Sequence, residues 1–441
     1  MRRTAPGARR SPPLPLFWHC VPPRLLNPCL AAHPLSTPLP SCCRAEQASR
    51  RGADVSVAEA VEAALGAMAL TPGEGAVVRA CAADLFGAPT RALSLRGSLS
   101  NGYDGGHELV VGGYSQLTRA LAEGLRGVRT GAVVERVELL AGGAGVEVRV
   151  AGGGAPVRAH AAVVTLPLGV LQAGAVAFAP PLPPFKLAAL QGLAMGTENR
   201  VALLFDQPFW PLQPQVLRPC AGRYTYLNLH AMGVPNVLCA WVRPEAAADV
   251  ERWGEAAAVA DVCACLKQLF PNTFRAPLDA AVTRWGSDPF ARGAYSHVPV
   301  GGDARAYAAL AHPLTGDAAF DGRQAEAGVE GRLLRRDTRL FFAGEATSEG
   351  DAYTVHGAYE SGRREAARVA RWWREYRCEV RRLAKAQGVA LGGGDTEGEG
   401  EEGGEEESDG EEEEESEEES EEEEEEESEE EEEARRPRRR R

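Results

Sequence analysis

No two cysteines of this 441-residue chain stand in a CxxC spacing. Ten are present, but Cys42 and Cys43 are adjacent and Cys263 and Cys265 are two apart, which gives no zinc-ribbon or zinc-finger pattern. With no secretory signal to read, the thiols are expected to be reduced and the compartment intracellular. The eight histidines form no HExxH or other close ligand set, so metal is left out of the expected chemistry. Residues 1–49 are rich in proline, carry scattered arginine and a single acid, Glu46, and contain no apolar run of membrane length. Such a stretch builds no core; it reads as an organelle transit peptide or as sequence foreign to the native fold. The glycine clusters 142–145 and 152–154 lie between strand-like runs and read as turns.

Charge is distributed very unevenly. Residues 395–441 hold 29 acids against 6 arginines, a net of −23; the chain total is −15, so the remainder carries +8. Runs such as 421–427 repel themselves and are expected to stay solvated. The plain reading is a solubilising tail, and the sharper one an arm for basic partners such as histones. Arg435, Arg436 and Arg438 to Arg441 then resemble a nuclear address, and Ser408, Ser416, Ser420 and Ser428 each precede acids, as an acidophilic kinase prefers.

The most informative stretch is 341–368, FFAGEATSEGDAYTVHGAYESGRREAAR. An apolar run from Leu340 to Ala343 has strand character and ends at Gly344, where backbone can turn sharply and approach a ligand, with Glu345 directly after. Thr354 is placed to cap a helix whose Val355, Ala358, Tyr359, Gly362, Ala366 and Val369 recur at three to four residues. The partial positive charge of such a helix start suits a phosphate or a ring that becomes anionic. His356 reads as structural.

This segment resembles the C-terminal FAD-binding part of the flavin amine oxidases, the family of polyamine oxidases and lysine-specific histone demethylases. The likeness continues in family order through GHELVVGGYSQLTRALAEGL (106–125), VVTLPLGVLQAGAVAF (163–178), PPLPPFK (180–186), VALLFDQPFW (201–210), residues 228–231 and RWGSDPFARGAYSHVPVG (284–301). It spans about residues 75–376. The family's N-terminal GxGxxG fingerprint, whose glycines bring pyrophosphate to a helix start, has no counterpart in this sequence. The foreign-looking 1–49 stretch occupies its expected place. From this follows the expectation that the chain as written binds FAD weakly or not at all.

Amine oxidation asks little of the protein because the flavin carries the redox chemistry. By resemblance Lys186, the lysine of PPLPPFK, is the catalytic residue that positions water at the flavin; held in an apolar pocket its pKa would fall. Trp285, Phe290, Tyr295, Tyr353 and Thr354 are the implied substrate wall, where facing aromatics hold an amine by cation–π attraction. Val134, Thr165, Pro167, Gly344, Glu345, Thr354 and Val355 are the implied cofactor contacts.

Strand-like runs at 133–140, 146–150 and 201–205, with a helix over 256–270 burying Val259, Val262, Leu266 and Leu269, suggest α/β plus α+β architecture. An incomplete Rossmann-like FAD-binding domain interleaved with a substrate domain is the implied fold. The domains read as 1–52, disordered or transit-like; 53–376, the oxidase domain, with its FAD-binding C-terminal part at about 335–376; and 377–441, the acidic tail. Residues 315–338 read as a polar insertion loop, and no heptad run long enough for a coiled-coil tower is present. The leading expectation is an FAD-dependent oxidase of a polyamine or N-methylated lysine that releases peroxide. The alternatives are a scaffold protein holding basic partners by its tail, and a truncated form of a longer enzyme. Neither nucleic acid nor membrane is an expected partner. Nucleus or cytoplasm is the favoured place, or an organelle if 1–50 is a transit peptide.

Overall fold

The computed structural model describes residues 54–84, 87–99, 110–219, 221–317, 320–323, 335 and 337–387. The proline-rich start and the acidic tail with its serines and terminal arginines lie outside these residues, as do most of 315–338 and part of the 106–125 motif. The chain divides into two compact units, 1–377 and 378–441; the described residues of the second, 378–387, are helical.

The largest sheet has five antiparallel strands in the order Asp279–Val282, Asn199–Leu204, Val237–Val242, Tyr224–Asn228, Val216–Leu217. Alternation builds its core: Val201, Leu203 and Phe205 point one way and are at most 1% exposed, while between them Ala202 is half-buried and Leu204 exposed. Helix Glu255–Leu269 packs on that face through Ala258, Val262 and Leu266. The expected stripe is thus corrected at both ends: Val259 is only partly buried and Leu269 is 44% exposed. Ala258, Val262 and Leu266 lie four residues apart, and that row, rather than the bulkier one beside it, meets the sheet.

A second sheet runs Val157–Ala159, Gly145–Val150, Val134–Leu140, Ala177–Ala179, antiparallel except for the last pair. Ala141–Gly143 make the turn between two of these strands, with Gly142 and Gly143 at φ 68° and 70°, as the turn reading requires.

Leu340–Phe342 pairs in parallel with Ala162–Val164. The strand's neighbour is therefore the VVTLP motif, rather than a fingerprint strand, and its other contact is a bridge to Leu314. Residues 199–282, which carry the five-stranded sheet, fall in sequence between these two partners, so the two parts of the fold are interleaved along the chain. Phe341 is fully buried, with its ring edge-on to Trp372 at 6.1 Å. Trp372 belongs to the long helix Val355–Gln387, whose start is capped as expected: Gly357 N donates to Thr354 Oγ1 at 2.9 Å. Of the expected insertion loop, Asp321 is buried and accepts from Thr315 N and Oγ1, which makes that part structural.

Candidate functional site

A cavity of about 270 Å³ opens at the carboxyl ends of the parallel pair. In open α/β sheets this is where ligands bind. Its lining comes from the turn after Ala162–Val164, with Thr165, Pro167 and Leu168, from Phe342 to Thr347 after the paired strand, and from Trp285 and Gly293. Five residues named from sequence therefore meet here: Thr165, Pro167, Trp285, Gly344 and Glu345. Gly344 has φ 126° and nothing within 4 Å of the place a Cβ would take, so its backbone can lie against a flat ligand. A larger cleft of about 440 Å³ is lined by helices Val57–Gly66, Pro72–Ala83 and Pro244–Arg252. It contains none of the named residues, and four of its charged side chains are matched in the pairs Arg79–Glu62 at 2.6 Å and Arg223–Asp249 at 3.0 Å. The smaller cavity is the candidate.

Glu345 organises the back of this cavity. Its carboxylate accepts from Ser296 N at 3.1 Å, Ser296 Oγ at 2.6 Å and Tyr353 N at 3.0 Å. Burial raises its pKa and these donors oppose the rise. The third bond holds Tyr353 in the left-handed region, φ 55°, a conformation with a cost for a bulky residue. Tyr353 and Tyr295 face each other with ring centroids 6.3 Å apart, tilted by 39°. Both sit behind the lining rather than in it. Phe290 is 62% exposed and Val355 47%, and neither lines the cavity; Thr354 is taken up by its capping role. Val134 packs against the core cluster of the second sheet and does not line the cavity.

Lys186 is 1% exposed and also lies outside the lining. Its Nζ donates to the Leu310 carbonyl and lies 3.6 Å from the Phe342 ring centroid, behind two residues that do line the cavity. Desolvation pulls its pKa well below the usual lysine value, against the attraction of Glu365 and Asp321. The unfolded chain therefore binds a proton at this site that the folded one gives up. Stability from this group rises with pH, from the depressed folded value up to 10.5. Lys186→Met is expected to flatten the rise of melting temperature as pH climbs toward 10.5; equal slopes for the two proteins would mean that Lys186 is not held neutral.

Sequence reasoning missed Ser296, Glu198 and Arg200. Ser296 is fully buried beneath Glu345, and its place in RGAYSH was the available signal. Glu198 accepts from Tyr295 OH at 2.8 Å and from Arg200 Nη2 at 2.5 Å. The TEN triplet before the 201–210 strand marks only that a charge stands near a motif.

The flavin-containing amine oxidoreductase family model matches residues 83–370. The chain belongs to that family. It is 34% identical over 275 residues to lysine-specific histone demethylase 1 homolog 2 of Oryza sativa subsp. japonica, covering 60% of this chain and 33% of that protein. It is 36% identical over 263 residues to polyamine oxidase 4 of the same plant, covering 58% and 48%. The chain thus spans a third to a half of these relatives. Among solved structures, wild-type putrescine oxidase bound to putrescine superposes with a TM-score of 0.56 at 18% identity, over 75% of this chain and 72% of that one. That likeness gives the fold, an FAD-binding part with a substrate domain.

FAD is the cofactor that membership carries. The cavity suits the ring end of a flavin: its volume lies just under the range of about 300–1,000 Å³ usual for whole small-molecule sites. Thr165, Pro167, Gly344, Glu345 and Trp285, all in the lining, would hold the ring.

Proposed function

We propose that this chain is an FAD-dependent amine oxidase acting on a polyamine or an N-methylated lysine. The observation that carries the reading is the single cavity into which the 163–178, 284–301 and 341–368 motifs all send residues. In this reading residues 53–376 are the oxidase domain, and about 335–376 its flavin-ring segment. When bound, FAD supplies the two-electron acceptor for oxidation of the amine's α-carbon and its own reoxidation by dioxygen, with hydrogen peroxide as by-product. Trp285 offers an aromatic face to the substrate's alkyl chain, and the tyrosines behind Glu345 shape the far end. The largely apolar lining keeps an amine poorly solvated, which favours its neutral, oxidisable form. Water adds to the resulting iminium carbon and releases an aldehyde and the smaller amine. Lys186, behind the wall, acts by fixing Leu310 and Phe342 rather than by touching substrate. The scaffold alternative gains nothing from the relatives.

The test is direct. With FAD in excess, the purified full chain is expected to release peroxide with spermidine or with a methylated lysine peptide, whether or not the flavin is held tightly enough to survive desalting. A protein that stays silent with both amines in saturating FAD would overturn the reading.

A further inference from the structure

We propose that Glu198 is the positioning residue of the aromatic corner formed by Tyr295 and Tyr353. The inference rests on the amine reading above and names the residue that gives this site its shape.

Each tyrosine of the corner is held by a different carboxylate. Glu345 holds Tyr353 through its backbone N–H, whereas Glu198 holds Tyr295 through the phenol, whose OH donates to Oε2 at 2.8 Å. Glu198 is 9% exposed, so its charge must be matched locally. Arg200 does this, with Nη2 2.5 Å from Oε1, and its guanidinium carbon lies 4.4 Å from the centroid of the Trp241 ring on the adjacent strand. The guanidinium is thereby fixed by stacking as well as by charge. Tyr295 is confined from the other side too. A Cβ on Gly87 would come within 2.7 Å of Tyr295 Cζ, so the ring lies flat on glycine backbone. Gly196 N donates to Tyr295 O at 2.8 Å, which fixes the main chain. The ring therefore has one orientation, set at its tip by Glu198 and at its flank by Gly87.

The two tyrosine rings, tilted at 39° with centroids 6.3 Å apart, make a corner behind the Glu345 side of the cavity. An alkylammonium or methylammonium group is the chemistry such faces attract. Because the cation–π term depends on where the ring face points, a phenol freed from Glu198 loses affinity without any loss of the ring. Glu198 acts through Tyr295; it does not need to touch the ligand.

The experiment is a double-mutant cycle on the full chain, with tetramethylammonium as probe and tryptophan fluorescence as readout. Glu198→Ala and Tyr295→Phe are each expected to weaken binding by about fivefold. The double variant should bind no worse than either single one, since both remove the same tether. Glu198→Gln, whose amide oxygen still accepts from the phenol, should recover most of the affinity. A melting curve on each protein separates a loosened corner from an unfolded one. Losses that multiply in the double variant, or an unchanged affinity in Glu198→Ala, would overturn the proposal. If the unaltered chain ignores the probe, the corner does not take ammonium and the inference falls. Peroxide release from spermidine, measured on the same sample, then tells whether the amine reading falls with it.

Discussion

Gly357→Ala is expected to destabilise the protein by about 3 kcal/mol or more, although it places a better helix former inside a helix. On propensity alone the change would gain about 1 kcal/mol. Sterics decide the sign. A Cβ at this position would stand 1.9 Å from the Asp351 carbonyl oxygen and 2.8 Å from its carbon, and both are backbone atoms that cannot swing aside. The loop would have to move as a whole, and it is tied on several sides: Thr354 Oγ1 donates to Asp351 O at 2.7 Å, Tyr353 N donates to Glu345, and Ala352 is fully buried. Gly362 supplies the control. It lies in the same helix with nothing within 4 Å of its would-be Cβ, so Gly362→Ala should stabilise by roughly the 1 kcal/mol that propensity predicts. Urea unfolding of the two variants reads opposite signs if this account holds. A Gly357→Ala protein as stable as Gly362→Ala would show that the loop can retreat from the helix at little cost.

The same segment marks how far the sequence could be read. Leu340 to Gly344 and the Thr354 cap were legible because strand, turn and cap are local signals, written within four or five residues. The helix after Thr354 was legible for the same reason, though not its full length to Gln387. What no local pattern carries is pairing across the chain. Glu198 and Tyr295 are 97 residues apart, and Ser296 and Glu345 are 49 apart. Each of these side chains is ordinary in its own neighbourhood. Lys186 illustrates a different limit: the resemblance attached a role to the residue, and no local signal told that the fold buries its amine behind Phe342, outside the cavity lining. Phe290 sits in a recognisable motif yet stands on the surface, because Asp288 and Arg292 turn that part of the chain outward, with Arg292 at φ 55°.

The second large effect is expected at Glu345. Its two oxygens accept three hydrogen bonds from Ser296 and Tyr353, and a water in the space left by the alanine variant, with two lone pairs, could not accept from all three donors at once. In Glu345→Ala the buried Ser296 N–H and the Tyr353 N–H lose their acceptor, each at about 1–3 kcal/mol, so a total of about 2–6 kcal/mol is expected. The loss has a second part. Tyr353 is kept at φ 55° against its own preference, and strain of this kind, about 1–3 kcal/mol, persists only while the surroundings enforce it. Once the carboxylate is gone the loop can relax, which returns some stability while moving the Tyr353 ring away from Tyr295. Stability and site geometry should therefore part company: the fall in unfolding free energy will be smaller than three lost bonds suggest, and the loss of ammonium affinity larger. Glu345→Gln separates the two, because an amide oxygen in the place of Oε2 still accepts from Tyr353 N and Ser296 Oγ, while the NH2 group in the place of Oε1 forfeits only the bond from Ser296 N. That variant should lose less stability and keep Tyr353 in place. Chemical denaturation together with tetramethylammonium titration measures both quantities. An alanine variant within 1 kcal/mol of the unaltered protein and with undiminished affinity would mean that Glu345 is not what holds the corner.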